Sequence, residues 1–213
     1  MAPLFCIDLR ANERRTLLQI ARQSISNGLR RGSPVNVEQL ADAGILGRPL
    51  GVFVTLTRDN SLRGCIGSME TQEPLAKSVA ESAFGAAFRD PRFPQLQVHE
   101  LQETHIGISI LSPMEPLAVT RRDELLSSLR PLTDGLLLKD GEHRSTFLPQ
   151  VWQQLPDPEA FLDQLLLKAG LPAEHWSSTL EFYRYHTVSF GGPDSPGGAT
   201  SGDTTRPRKQ HRL

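Results

Sequence analysis

The chain has 213 residues, 38% hydrophobic and 22% charged, which excludes the low-hydrophobicity regime of disorder and is long enough to bury a sizeable core in one folded domain. A formal net charge of −1 excludes a global field that would gather nucleic acid or an anionic membrane, and no apolar run approaches the roughly 18 residues of a membrane-spanning helix. Two cysteines, Cys6 and Cys65, exclude a disulfide framework; with an N-terminal stretch that mixes Asp8 and Glu13 with Arg10, Arg14 and Arg15 and lacks a signal-peptide core, they predict reduced thiols in a cytoplasmic protein.

From 12 to 32, Leu17, Leu18, Ala21, Ile25 and Leu29 recur at helical spacing, and Gly28 and Gly32 weaken the end. After a loop rich in Gly and Pro, residues 51–57 read as a strand. Arg58-Asp59-Asn60-Ser61 supplies turn chemistry, and 62–67 return as the second arm of a hairpin. Residues 73–89 form a helix dotted with Ala76, Ala80, Ala83, Ala86 and Ala87, small enough to pack closely on a sheet, until Pro91 and Pro94 forbid continuation. Strands follow at 105–111, at 135–139 and at 143–148, the last two around an Asp140-Gly141 turn, with a short helix over 122–129. Asp157 as N-cap, Pro158 as first residue and Gly170 as stop mark a helix over 158–169, and 179–190 read as a closing strand. Hairpins and helices without regular βαβ repetition predict an α+β domain over 1–190, with a mixed or mainly antiparallel sheet flanked by helices. Residues 191–213 change to a Gly/Pro-rich stretch with a basic end, Arg206, Arg208, Lys209 and Arg212, read as a flexible tail.

No Gly-x-Ser-x-Gly elbow, phosphate-cradling loop, dinucleotide fingerprint or His-Glu-x-x-His helix is present. The unusual segment is Leu62-Arg63-Gly64-Cys65-Ile66-Gly67, because Gly64 and Gly67 discard packing and β-propensity that a purely structural strand keeps, which suggests close approach by another group. Strand alternation places Leu62, Gly64 and Ile66 on one face and Arg63, Cys65 and Gly67 on the other. A guanidinium beside a thiol favours the thiolate, whereas a free cysteine usually behaves as a small buried hydrophobe. Asp90 and Arg92 sit in the loop after the alanine-rich helix, where Asp90 can orient Arg63 or Arg92, or serve only a helix-ending ion pair. His99, His105, His143, His175 and His186 are scattered, and they are not read as a metal site.

The chain resembles the AMMECR domain family. The resemblance rests on Leu62-Arg63-Gly64-Cys65-Ile66-Gly67 and on Ala86-Ala87-Phe88-Arg89-Asp90-Pro91-Arg92-Phe93-Pro94. It continues through Ile108-Ser109-Ile110-Leu111-Ser112, Phe147-Leu148-Pro149-Gln150-Val151 and Lys168-Ala169-Gly170-Leu171 to Tyr183-Arg184-Tyr185, covering roughly 12–190. It implies a larger and a smaller subdomain and, through bacterial members that resemble protein A of the AmmeMemoRadiSam system, a Memo-like and a radical-SAM protein as associates. It implies no reaction and names no cofactor. Relatives often carry glutamate where Gly107 stands and cysteine near Leu166 or Leu167, so a mechanism needing an extra acid or second thiol there loses support. Two readings stay open. One is an enzyme with Cys65 as nucleophile or thiol donor and Arg63, Asp90 and Arg92 around an anionic small molecule or modified residue. The other is a module that binds a ligand or partner on a surface formed by Arg63, Gly64, Cys65, Gly67, Asp90 and Arg92. Binding ranks first because no base or oxyanion site is recognisable.

Overall fold

The computed structural model describes residues 7–40 and 44–192. In chain order the principal elements are α1 (Ala11–Arg31), β1 (Val52–Arg58), β2 (Ser61–Ser68), α2 (Leu75–Phe88), β3 (His105–Leu111) and β4 (Glu115–Leu117). They continue as α3 (Arg122–Ser128), β5 (Gly135–Asp140), β6 (His143–Phe147), α4 (Pro158–Lys168), β7 (Glu181–Tyr185) and β8 (Thr187–Gly191). Every strand pairing is antiparallel, in two four-stranded sheets ordered β2-β1-β3-β8 and β4-β7-β5-β6, so the expected α+β architecture is the one adopted. Among the described residues no helix is long and apolar enough to cross a membrane.

The first sheet is built on the hairpin. Asp59 (φ 50°) and Asn60 (φ 58°) both occupy the left-handed region that a two-residue hairpin turn with the twist of its strands requires, and Arg58 and Ser61 close it. Alternation then drives Val52, Val54 and Leu56 of β1 and Ile106, Ile108 and Ile110 of β3 against α1 and α2, where all six are buried. The helices approach closely because Gly28 leaves room for the Phe84 and Phe88 rings, and buried Ser24 donates to the Ala80 carbonyl oxygen at 2.6 Å. The second sheet packs one face on α3 and α4. Trp152 lies flat on Phe161 there, with ring centroids 3.8 Å apart, and its indole N–H donates to the Asp134 carbonyl oxygen. The Asp157 cap on α4 is present as expected, its carboxylate accepting the Ala160 N–H at 2.9 Å.

The single closing strand expected over 179–190 is instead two strands in different sheets. The chain leaves the second sheet after Tyr185, turns at His186 and enters the first as β8. Ser112, which follows β3 on its way to β4, crosses beside it: Ser112 N–H donates to the His186 carbonyl oxygen at 2.9 Å, and His186 N–H to Ser112 Oγ at 3.0 Å. Two adjacent strands thus pass from one sheet to the other, and buried Leu111, Leu137 and Tyr185 fill the junction. β8 runs one residue into the expected tail, Gly191 pairing with Gly107; the remainder from 193 onward, like Cys6, lies outside the described residues.

Candidate functional site

The two glycines of β2 are accounted for by the protein's own backbone. A Cβ on Gly64 would lie 2.1 Å from the Ala86 carbonyl oxygen of α2, and one on Gly67 would lie 2.2 Å from the Val52 carbonyl oxygen of β1. The close approach read from these glycines is therefore made by a helix and a neighbouring strand rather than by a ligand.

Alternation along β2 holds for part of the signature. Gly64 and Ile66 face α2, and Cys65 and Gly67 face away from it, paired with Thr55 and Phe53. An irregularity opposite Leu56 and Thr57 interrupts the pattern at Arg63, so Leu62 pairs with Thr57 on the face that carries Cys65, not with the helix-facing set. Leu62 is 44% exposed there.

Arg63 is not free for a ligand or for Cys65. Its Nε and Nη2 donate to both carboxylate oxygens of Glu100, at 2.9 and 3.0 Å, with the two side chains only 12% and 9% exposed. Glu100 also accepts from Arg58 Nη1 at 3.2 Å and from the Gln97 N–H at 2.8 Å. This donor set, led by the Arg63 hydrogen bonds, pulls the Glu100 pKa down to about 2 against the cost of its burial. Thr57 Oγ1, Arg58 Nε and Arg63 Nη1, all in or beside this cluster, are buried without a hydrogen-bond partner in the structure.

Asp90 and Arg92 do come to Cys65, but to its backbone. Asp90 Oδ2 accepts the Cys65 N–H at 2.8 Å, and Arg92 Nη2 donates to the Cys65 carbonyl oxygen at 3.3 Å. The pair satisfies the outward-facing N–H and carbonyl of one edge-strand residue much as a fifth strand would. Asp90 orients Arg92, not Arg63: Arg92 Nε and Nη2 donate to its two oxygens at 2.9 and 2.7 Å. Those bonds first, and the N–H groups of Cys65 and Arg92 next, hold the Asp90 carboxyl well below the usual carboxylate range. Of the two arginines, Arg92 is the one held beside Cys65, through the Cys65 carbonyl oxygen.

The Cys65 thiol lies on the face of the first sheet opposite α1 and α2. Its Sγ is 3.3 Å from Thr55 Oγ1, and Thr55 in turn pairs with Gly107. Beyond lie Ser109 and Ser189, whose hydroxyls meet at 2.9 Å, and Gln150 reaches Ser189 Oγ from the second unit at 3.1 Å. All of these residues are partly or fully exposed. A Cβ on Gly107 would meet nothing nearer than 3.8 Å, so this glycine, unlike Gly64, opens space over the sheet. Alternation places Thr55 on the face opposite Val54 and Leu56, but the irregularity at Arg63 hides its pairing with Cys65 from the hairpin register. Glu100 carried no local signal, because its partner lies 37 residues away.

Comparison with known proteins gives one consistent result. The AMMECR1 family profile matches residues 18–190. A protein of Methanothermobacter thermautotrophicus is 37% identical over 185 residues, covering 85% of this chain and 95% of its own. A protein of Thermococcus onnurineus is 36% identical over 183 residues, covering 82% and 87%. The crystal structure of uncharacterized protein PH0010 from Pyrococcus horikoshii superposes with a TM-score of 0.77 at 30% identity, over 87% of this chain and 94% of that one. None of these names states an activity.

Proposed function

This chain belongs to the AMMECR1 family, and from that premise we propose that it is a binding module whose ligand surface is the face of the first sheet opposite α1 and α2, around Cys65. The observation that carries this reading is the contrast between the face and its surroundings. Cys65, Thr55, Ser109 and Ser189 present small polar groups to solvent beside the open space over Gly107, whereas Asp90 and Glu100 are both committed to arginines. Hydrogen-bonding groups for recognition are available; a carboxylate poised as a base is not. Because Arg63 and Arg92 are each already paired with a carboxylate, the anionic ligand they suggested loses its support, and a neutral polar ligand or modified side chain fits the face better. The resemblance to bacterial members that accompany a Memo-like and a radical-SAM protein supports these two as associates.

The test is untargeted ligand capture with the purified full chain, alone and with both associates, before and after alkylation by iodoacetamide. Cys65 is partly exposed, so it should label without denaturant, as read by peptide mapping that separates it from Cys6. Labelling should lower captured ligand at least about tenfold while shifting Tm little, because the adduct projects from an open face. Capture unchanged by quantitative labelling of Cys65 would overturn the site. Conversion of a captured compound into a new product that needs Cys65 would replace binding with catalysis.

A further inference from the structure

We propose a second binding surface, on the opposite side of β2: the groove between its open edge and α2 receives an extended peptide segment of a partner protein, with a basic side chain set against Glu81 and an acidic one against Arg89.

The first observation is the edge itself. The Cys65 N–H and carbonyl both point away from β1, since Asp90 and Arg92 bind them from outside. Thr55 and Cys65 are therefore a pair without mutual hydrogen bonds, and by antiparallel alternation so are Phe53 and Gly67, two residues on. The Gly67 N–H and carbonyl accordingly face outward as well. No group among the described residues closes them as Asp90 and Arg92 close Cys65. The edge is blocked at Cys65 and left open at Gly67, two residues on, which limits strand addition to a short segment ending at Cys65.

The second observation is the space beside that edge. A groove of about 330 Å³ runs between Ile66 and Gly67 on one side and α2 on the other. Its helix wall includes Ser78 and Ser82, whose small side chains leave room for those of a guest, and Gly85, which packs close to Ile66. Over Leu75–Phe88 the helix rises roughly 20 Å, the length of about six residues of extended chain.

The charges select the guest. Glu73 is neutralised by Lys77, with Nζ and Oε2 at 2.8 Å. Glu81, exposed on the groove wall, has no ion-pair partner among the described residues, and Arg89 at the far end has only the Phe84 ring beneath it, 4.7 Å from the guanidinium carbon. Glu81, without an ion pair and only in the wider field of Lys77, and Arg89, over a ring alone, favour a strand of the reverse polarity, which sets its order as well as its composition.

The experiment uses the full chain and an array of acetylated, amidated heptapeptides on a Val/Thr/Ser background, each with one Lys and one Asp at varied order and separation, plus charge-free controls. One order and separation should bind at least about tenfold tighter than the controls by fluorescence polarisation, and saturation should slow amide exchange at Gly67 by a similar factor. Exchanging the charges with Glu81→Arg and Arg89→Glu should invert the preferred order; Glu81→Arg alone, at an exposed position, should weaken it with Tm retained. Binding by no peptide, binding indifferent to charge order, or unchanged exchange at Gly67 would each overturn the proposal. So would protection of Gly67 that grows with protein concentration alone, which would give the edge to a second copy of the chain.

Discussion

Gly64→Ala should destabilise the chain by about 3 kcal/mol or more, although it adds one methyl group to a strand that alanine tolerates in principle. The added carbon would sit 2.1 Å from the Ala86 carbonyl oxygen, and the obstructing atom is helix backbone, which cannot rotate away as a side-chain tip would. Relief requires α2 to lift from β2, and that would also loosen Gly85 from Ile66, whose methyl it already approaches closely. Gly107→Ala is the matched control. It lies on the same sheet with a negative-φ backbone and 3.8 Å of clearance, so its Tm should be unchanged or slightly raised by the smaller entropy of the unfolded chain. Thermal and urea unfolding of the two variants side by side measures the difference. A Gly64→Ala protein as stable as wild type would show that the signature glycines answer to a ligand after all.

Arg63→Ala should cost about 3 kcal/mol, because it leaves the Glu100 carboxylate, 9% exposed, with the partial compensation of Arg58 and one backbone N–H. The loss is kept from being larger by the removal of Arg63 Nη1, which is buried without a partner. The pH dependence gives a second readout. Glu100 is held at about 2 in the folded chain against an ordinary 4.5, so its contribution is fully present above about pH 4.5 and disappears as pH falls toward 2. Asp90, shifted in the same direction, adds to the same acid limb. Wild-type Tm should therefore fall across this window, while Arg63→Ala, with Glu100 nearer its ordinary value, should start lower and fall less steeply. Parallel acid limbs in the two proteins would show that the Arg63 pairing does not set the Glu100 titration.

The same geometry separates Arg63 from the thiol. Arg63→Ala should change iodoacetamide labelling of Cys65 only so far as it loosens the fold, since its guanidinium is turned to Glu100.

The sequence by itself determined what depends on neighbours along the chain. The Asp59-Asn60 turn follows from residues that tolerate positive φ, the α4 boundaries from Asp157, Pro158 and Gly170, and the bounds of β3 from its alternating β-branched residues. The two-residue turn fixes the hairpin register only as far as Thr57 and Leu62; the irregularity at Arg63 then shifts it by one residue, so the pairing of Cys65 with Thr55 rather than Val54 was not legible from the turn. Tertiary structure decided the rest. Whether a glycine makes room for a ligand or for a helix, as at Gly64, depends on an atom 22 residues away that no local pattern specifies. Whether Arg63 faces a substrate or a carboxylate depends on Glu100, brought in by a connection whose path is fixed only when α2 docks on the sheet. The break at His186 has the same origin: Phe182, Tyr183 and Tyr185 before it and Thr187, Val188 and Phe190 after it are all strand-forming residues, and only the presence of two sheets, joined beside Ser112, divides them. Local torsional preference chooses the elements, but the partners of a buried charge and the reason for a missing side chain are properties of the packed interior.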